Sequence, residues 1–501
     1  MKKFIAILLA AFMLASFAGC SKKLESPKAS EETGEANSKI DNLHSEITLE
    51  SENFSITNGM LRYFYLSGFY NVYASYSTYF QNMGFDSTKP LNEQQYTEDM
   101  TWHDYFLEMT LGDARTFLRV AEAARADGYD DSYVEAEVQK QIDNITNSEG
   151  ITIKEYITKM FGDTLDERDL REALTLQIYV YDYYEKIQEQ LGEEITTEDC
   201  EVYYNENTKT LSKVDYISYT VTASTANTED AETAYAEAEK KAQELMTEAQ
   251  TKGIEGFKSW VSAYMTEQNK ISTTPMADDA LASQIEKVLA GTVDAGYSEG
   301  DELSEFCFEE GRATGDCKLT DNGAGSYTVT VVSNPAHRTD DETKNVRHIL
   351  FKPENYEGSE SAAKAKAEEV LDTWKNGEAT VESFDALAKE YNDDNSSLYE
   401  NVYQGEMVQT FNDWLFDNAR VEGDTGIVQT DYGFHIMYFA GEGYPVWESE
   451  VRRTLISAKL SEVMTTFETE YPITETQETI DKLPATIPQT ALKGDDKNVY
   501  E

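Results

Sequence analysis

The sequence predicts a multidomain α+β protein: a helical first third, followed by two units that each mix strands with helices. Apolar and aromatic residues recur at helical spacing through residues 45–208. At Leu211 the pattern changes to short alternating strands separated by Ala/Glu/Lys-rich helical stretches. From there the same order of segments occurs twice, first over 211–336 and then over 344–443. At 501 residues and 40% hydrophobic content the chain is long enough for roughly three domains.

The first 20 residues are not one of them. Two lysines, an apolar run from Phe4 to Phe17 and the exit Ala18-Gly19-Cys20 have the layout of a secretory signal. A cysteine at that point resembles the lipobox of bacterial lipoproteins, which implies lipid attachment at Cys20. Residues 21–44 are polar and read as a flexible linker. No later stretch reaches the ~20 apolar residues of a membrane span, so the body is expected to be held at the membrane by lipid only. A net charge of −52 excludes nucleic acid as a partner, since phosphate would be repelled.

In the helical domain, 45–208, a strand over Glu46–Ile56 precedes a helix whose Leu66, Phe69, Tyr73, Tyr76 and Phe80 form an aromatic stripe, expected to be enclosed by the helices that follow, with partial exposure as an apolar client-binding surface the other reading. Those are Trp102–Asp127, ended by Gly128, then Ser132–Asn144, Ile153–Met160 and Glu167–Leu191. His44 and His103 read as surface or capping residues.

The two later units align weakly. VDYISY (214–219) stands beside VRHILF (346–351), which sets Tyr216 against His348; FCFEEGRATGD stands beside WLFDNARVEGD; SYTVTVV stands beside FHIMYF. The shared Phe-x-x-x-Arg-x-x-Gly-Asp is the strongest identity. Cys200, Cys307 and Cys317 match no zinc spacing, and Cys307 and Cys317 are either a local disulfide or two thiols. Residues 447–471 are amphipathic, and 474–501 read as a polar frayed tail.

The second unit carries the chemistry. Only five histidines occur in the chain, and His348 and His435 both sit in mid-strand here. Between VRHILF and QTDYGFHIMYF lie FDALAKEYNDD, GEMVQTFNDWLF and the Gly423-Asp424 turn. This order resembles a parvulin-type peptidyl-prolyl cis-trans isomerase domain. The resemblance implies a catalytic set of His348, Asp394, Thr430 and His435 and a proline pocket of Leu398, Met407 and Phe411, with no metal and no cofactor. The first unit is then a degenerate parvulin-like domain. Two features depart from the family: SSLYENVYQGEM replaces a glycine-rich loop before Met407, and FKPENYEG lacks the arginine cluster of phosphate-directed members.

With the anchor and the helical first third, the whole resembles extracytoplasmic lipoprotein foldases of the PrsA type. That implies a chaperone-like helical domain to which helix 447–471 returns, a place on the outer face of the bacterial cytoplasmic membrane, and exported, unfolded polypeptides with X-Pro bonds as clients. Self-association into a homodimer is left open. The rival readings are a catalytically inactive holdase with two parvulin-fold clamps and, further off, a solute-binding lipoprotein.

Overall fold

The computed structural model describes residues 44–224, 230–356, 358–394 and 396–492; the expected signal segment, Cys20 and residues 21–43 of the expected linker lie outside them. The chain is mixed α+β, and its elements group around a helical core and two four-stranded antiparallel sheets. No helix among the described residues is long and apolar enough to cross a membrane.

The helical part opens with β1 (Ile47–Glu50) and β2 (Ser55–Thr57), then α1 (Asn58–Ser75), α2 (Trp102–Ala126), α3 (Val134–Glu149), α4 (Ile153–Phe161), α5 (Glu167–Glu194) and α6 (Thr197–Glu206). Reciprocal caps set the starts of α2, α4, α5 and α6, where Thr101, Thr152, Asp166 and Thr196 each pair with an acidic residue three positions on. The aromatic helix α1 is enclosed through Tyr70, and its stripe stacks into a cluster of Phe69, Phe80, Phe85, Trp102 and Phe106. The helix stops at Ser75, and Tyr76 and Tyr79 are exposed just past its end, Tyr79 in a short helix over Ser77–Asn82. His44 is not a surface residue: its Nδ1 lies 3.1 Å from Asp169, a fully buried carboxylate that Arg168 also approaches at 4.0 Å. His103 accepts or donates a bond with the Tyr65 hydroxyl at 2.8 Å.

The first α/β unit runs β3 (Lys213–Thr222), α7 (Ala231–Ile271), α8 (Asp278–Ala290), β4 (Thr292–Gly296), α9 (Glu302–Cys307), β5 (Cys317–Gly323) and β6 (Ser326–His337). The second runs β7 (Thr343–Phe351), α10 (Glu360–Asn376), α11 (Val381–Tyr391), β8 (Leu398–Tyr403), α12 (Gln409–Leu415), β9 (Thr425–Thr430) and β10 (Gly433–Glu442). Their sheets have strand orders β4-β3-β6-β5 and β8-β7-β10-β9, the same topology twice. Gly253 breaks α7 with φ 63°, so its two halves stand where α10 and α11 stand; α8 has no counterpart in the second unit.

The shared Arg-x-x-Gly-Asp has a common structural reason. Arg312 stacks on Phe306 and donates to its carbonyl, as Arg420 does on Trp414, and each guanidinium faces the aspartate four residues on. Gly315 and Gly423, both at positive φ, then bond to Val332 and Phe439.

These bonds fix a register that corrects the sequence alignment. Tyr216 pairs with Val332 as Val346 pairs with Phe439, so Ser218, opposite Thr330, occupies the position of His348, opposite Met437. Tyr216 stands two residues away from it. Among the described residues Cys200, Cys307 and Cys317 are free thiols.

Helix α13 (Val446–Glu470) leaves the second sheet and runs back, with Trp447 and Val451 packed on Ile195, Cys200 and Tyr204, and Leu460 in the core of the helical domain. The expected frayed tail is corrected for residues 474–492. β11 (Thr474–Glu475) pairs with β1, Leu483, Ile487 and Ala491 are buried in the helical core, and Ile480 is fully buried beside them in sequence. Arg62, buried in α1, donates at 2.6 Å to the carbonyls of Pro484 and Thr486, which satisfies both the guanidinium and that backbone.

Candidate active site

Alternation divides the second sheet into two faces. Ile349, Phe351, Phe434, Ile436 and Tyr438 face α10 and α11, where they meet Val370, Trp374 and Phe384. Val346, Met437 and Phe439 face the other way, with Val402, Val428, Phe411 and Leu415. His348 and His435 share this second face: His348 pairs with Met437, and Leu350 with His435, so the two imidazoles are diagonal neighbours.

Their rings lie 5.3 Å apart, nearly stacked, and both are buried. Nδ1 of each faces Nδ1 of the other at 3.1 Å. His348 Nε2 lies 3.0 Å from the Ser396 carbonyl, which can only accept, so that nitrogen carries the proton. Its Nδ1 is then bare and accepts from His435 Nδ1–H. Nε2 of His435 is bare in turn and accepts from the Thr430 hydroxyl at 2.9 Å. Each link of this chain fixes the tautomer of the next, with both rings neutral. Burial favours that state, holding the pKa of His348 below its ordinary value, while burial first and the neighbouring His348 second push His435 down to about 4.

The rest of the site is brought in by short local bonds. Asn392, at the end of α11, accepts from the N–H of Leu350 and donates to the Ser396 carbonyl, so it holds the segment after α11 against β7. Asp394 lies 3.5 Å from His348 Nε2 and also meets the Tyr399 hydroxyl at 3.3 Å. Helix α12 is pinned by Asn412, which accepts from Gly405 N–H, and by Thr410, which donates to Gln429 O. This aims Phe411 edge-on at both imidazoles, at 5.7 and 5.5 Å, with Met407 in the same apolar cluster.

The structure therefore brings together His348, His435, Thr430, Asp394, Met407 and Phe411. It does not bring Leu398 with them. Leu398 pairs with Arg347 and belongs to none of the apolar clusters, whereas Tyr399, paired with Val346, packs in the cluster of Phe411 and Met407 and lies 5.2 Å from His348. The replaced glycine-rich loop is an edge strand bulged between Tyr399 and Val402, with Asn401 in the left-handed region at φ 54°. Tyr399 and Asn392 are the residues sequence reasoning missed. An aromatic at an edge-strand position and an asparagine just past a helix end were the available signals.

Residues 330–441 match the family model of the PPIC-type PPIASE domain. The match begins in β6 of the first unit and covers almost all of the second sheet. No curated protein matches the chain.

Proposed function

We propose, from the premise that residues 330–441 are a parvulin-type peptidyl-prolyl cis-trans isomerase, that the chain is a foldase acting on exported polypeptides outside the cytoplasmic membrane, to which Cys20 tethers it. The observation that carries the chemical part is the neutral His348–His435 pair lying under Phe411.

Rotation about an X-Pro bond must cross a resonance barrier of ~18–20 kcal/mol, and no bond need break. Phe411 and Met407 offer the pyrrolidine ring an apolar seat, with the Tyr399 ring as a further wall. A dry site disfavours the polar planar amide relative to its twisted form. The imidazole chain supplies hydrogen-bonding capacity that is already oriented, so little reorganisation accompanies the twist. Thr430 holds His435, and Ser396 holds His348. Asp394, at 3.5 Å, adds a negative potential beside His348 and takes no part in covalent chemistry.

Support for the location is the layout of residues 1–20 and the cysteine that ends them. Support for the binding of unfolded chains is the exposed apolar stretch just past the aromatic helix, where Tyr76, Tyr79 and Met83 are about half exposed. A protease-coupled assay with an X-Pro peptide tests the chemistry, and radiolabelled palmitate incorporation into the wild-type chain but not Cys20→Ala tests the anchor. Label absent from both would remove the tethering, while an isomerisation rate no faster than in buffer would remove the catalytic role.

A further inference from the structure

The first unit lacks the imidazole pair, yet a histidine stands at the end of its central strand. We propose that Asp215, Asp294 and His337 form a binding site for a first-row divalent transition-metal ion that clips β3, β4 and β6 together. One ligand atom from each of the three residues lies within 4.8 Å of the others. The sheet creates this closeness: Lys213 pairs with both Gly296 and His337, so the three strands end side by side.

The hydrogen bonding of His337 fixes which of its nitrogens can meet a cation. Its Nδ1 lies 3.0 Å from the Pro335 carbonyl, an acceptor only, so Nδ1 is protonated and Nε2 is the nitrogen left to act as a ligand. Nε2 faces Asp294 Oδ1 at 3.5 Å. Without an ion, a proton on Nε2 makes this contact an imidazolium–carboxylate pair; a bound ion takes that proton's place and releases it to solvent. A separation of 3.5 Å also matches the edge of a tetrahedral site with ligands at ~2.1 Å from the ion. Asp294 N–H donates to Asp215 Oδ1 at 2.8 Å, which draws the second carboxylate into the same corner.

The cations nearest this corner are committed elsewhere. Lys213 turns to Glu450, and Arg338 to Glu201 and Asp340. Among the described residues neither Asp215 nor Asp294 is paired with a lysine or arginine. Two carboxylates and an imidazole suit a zinc- or manganese-type ion better than calcium, which prefers an all-oxygen shell.

Calorimetric titration of the purified chain with ZnCl2, and separately with CaCl2, tests the site. One zinc equivalent is expected, weakened at least roughly tenfold in His337→Ala and in Asp294→Asn. Binding should be unchanged in His435→Ala, which breaks the buried imidazole pair of the second unit. Asp294→Asn keeps the side-chain shape and the backbone bond to Asp215, so it removes charge without disturbing the strand end. Retained isomerase activity in both variants reports an intact second unit. No zinc heat, zinc binding that survives both substitutions, or calcium binding as tight as zinc would each overturn the assignment; in the last two cases the acidic surface alone accounts for binding.

Discussion

The two sheets share strand order, register and the stacked arginine, and they differ on the face turned away from their long helices. In the second unit that face holds His348 and His435 beneath Phe411. In the first, the same positions carry hydroxyls: Ser218 bonds Thr330 at 2.7 Å, and Thr220 bonds Thr328 at 2.8 Å. The opposite faces are alike, since Ile217, Val221, Val329 and Val331 meet α7 much as Ile349, Phe351, Phe434 and Ile436 meet α10 and α11. One face therefore builds the fold and the other carries the chemistry, so the chemistry can be absent from one copy without loss of the architecture.

The largest effects should come from breaking the fold-building face in each unit separately. Phe257 and Phe384 are both fully buried against their sheets. Truncating either to alanine should cost about 3–5 kcal/mol through lost contacts and the cavity left behind. Phe384→Ala should abolish isomerase activity at a temperature where Phe257→Ala retains it. Equal loss of activity in both, measured beside thermal unfolding, would mean that the units do not fold independently.

Next in size is the site face itself. His435→Ala removes the middle of the chain from Thr430 to Ser396 and should lower kcat/KM by roughly 10²-fold with the melting curve of the first unit unchanged. The matched change in the first unit, Thr328→Ala, should leave kcat/KM as it was.

How much of this was legible in the sequence follows from the same alternation. Two rare histidines in period-2 strands could be read directly, and so could the apolar pair Met407 and Phe411. The identity of Tyr399 could not, because a slip of one residue on a bulged edge strand exchanges the two faces. The alignment of Tyr216 with His348 failed for a different reason: a slip of two residues preserves the apolar pattern, and only the paired hydrogen bonds at Gly315 and Gly423 reveal it. The packed segment 474–492 was hidden by its polar composition. Ile480, Leu483, Ile487 and Ala491 keep a spacing of three and four, but Pro484 and Pro488 rule out the continuous helix that such spacing signals, and the backbone is held by Arg62 from more than 400 positions away.

A smaller effect separates the units by pH. His435 titrates near 4 in the folded chain against about 6.5 when unfolded. Lowering the pH from 6.5 toward 4 protonates the unfolded state before the folded one, so stability of the second unit falls across that window and the loss is complete below it. The activity of the folded protein should hold from pH 8 to about 5 and fall through 4. The first unit has no imidazole on its equivalent face and should show no such step. An acid limb of kcat/KM centred near 6.5 would mean that the imidazoles are hydrated rather than buried.

The smallest expected effect is the most discriminating. Placing histidines at the matched positions of the first unit, Ser218→His with Thr328→His, in a His435→Ala background, should add no isomerase activity to the residual rate of His435→Ala alone. Counting from the stacked aromatics Phe306 and Trp414, Leu303 stands where Phe411 stands, and the exposed Glu299 stands where Met407 stands. An imidazole pair there would face a short aliphatic side chain and a carboxylate, which offer neither an aromatic seat for a pyrrolidine ring nor a dry wall, and the hydrated carboxylate would favour the planar amide. If the grafted pair did restore catalysis, measured by the protease-coupled assay above the His435→Ala background, then orientation of two imidazoles would be sufficient and the apolar seat dispensable.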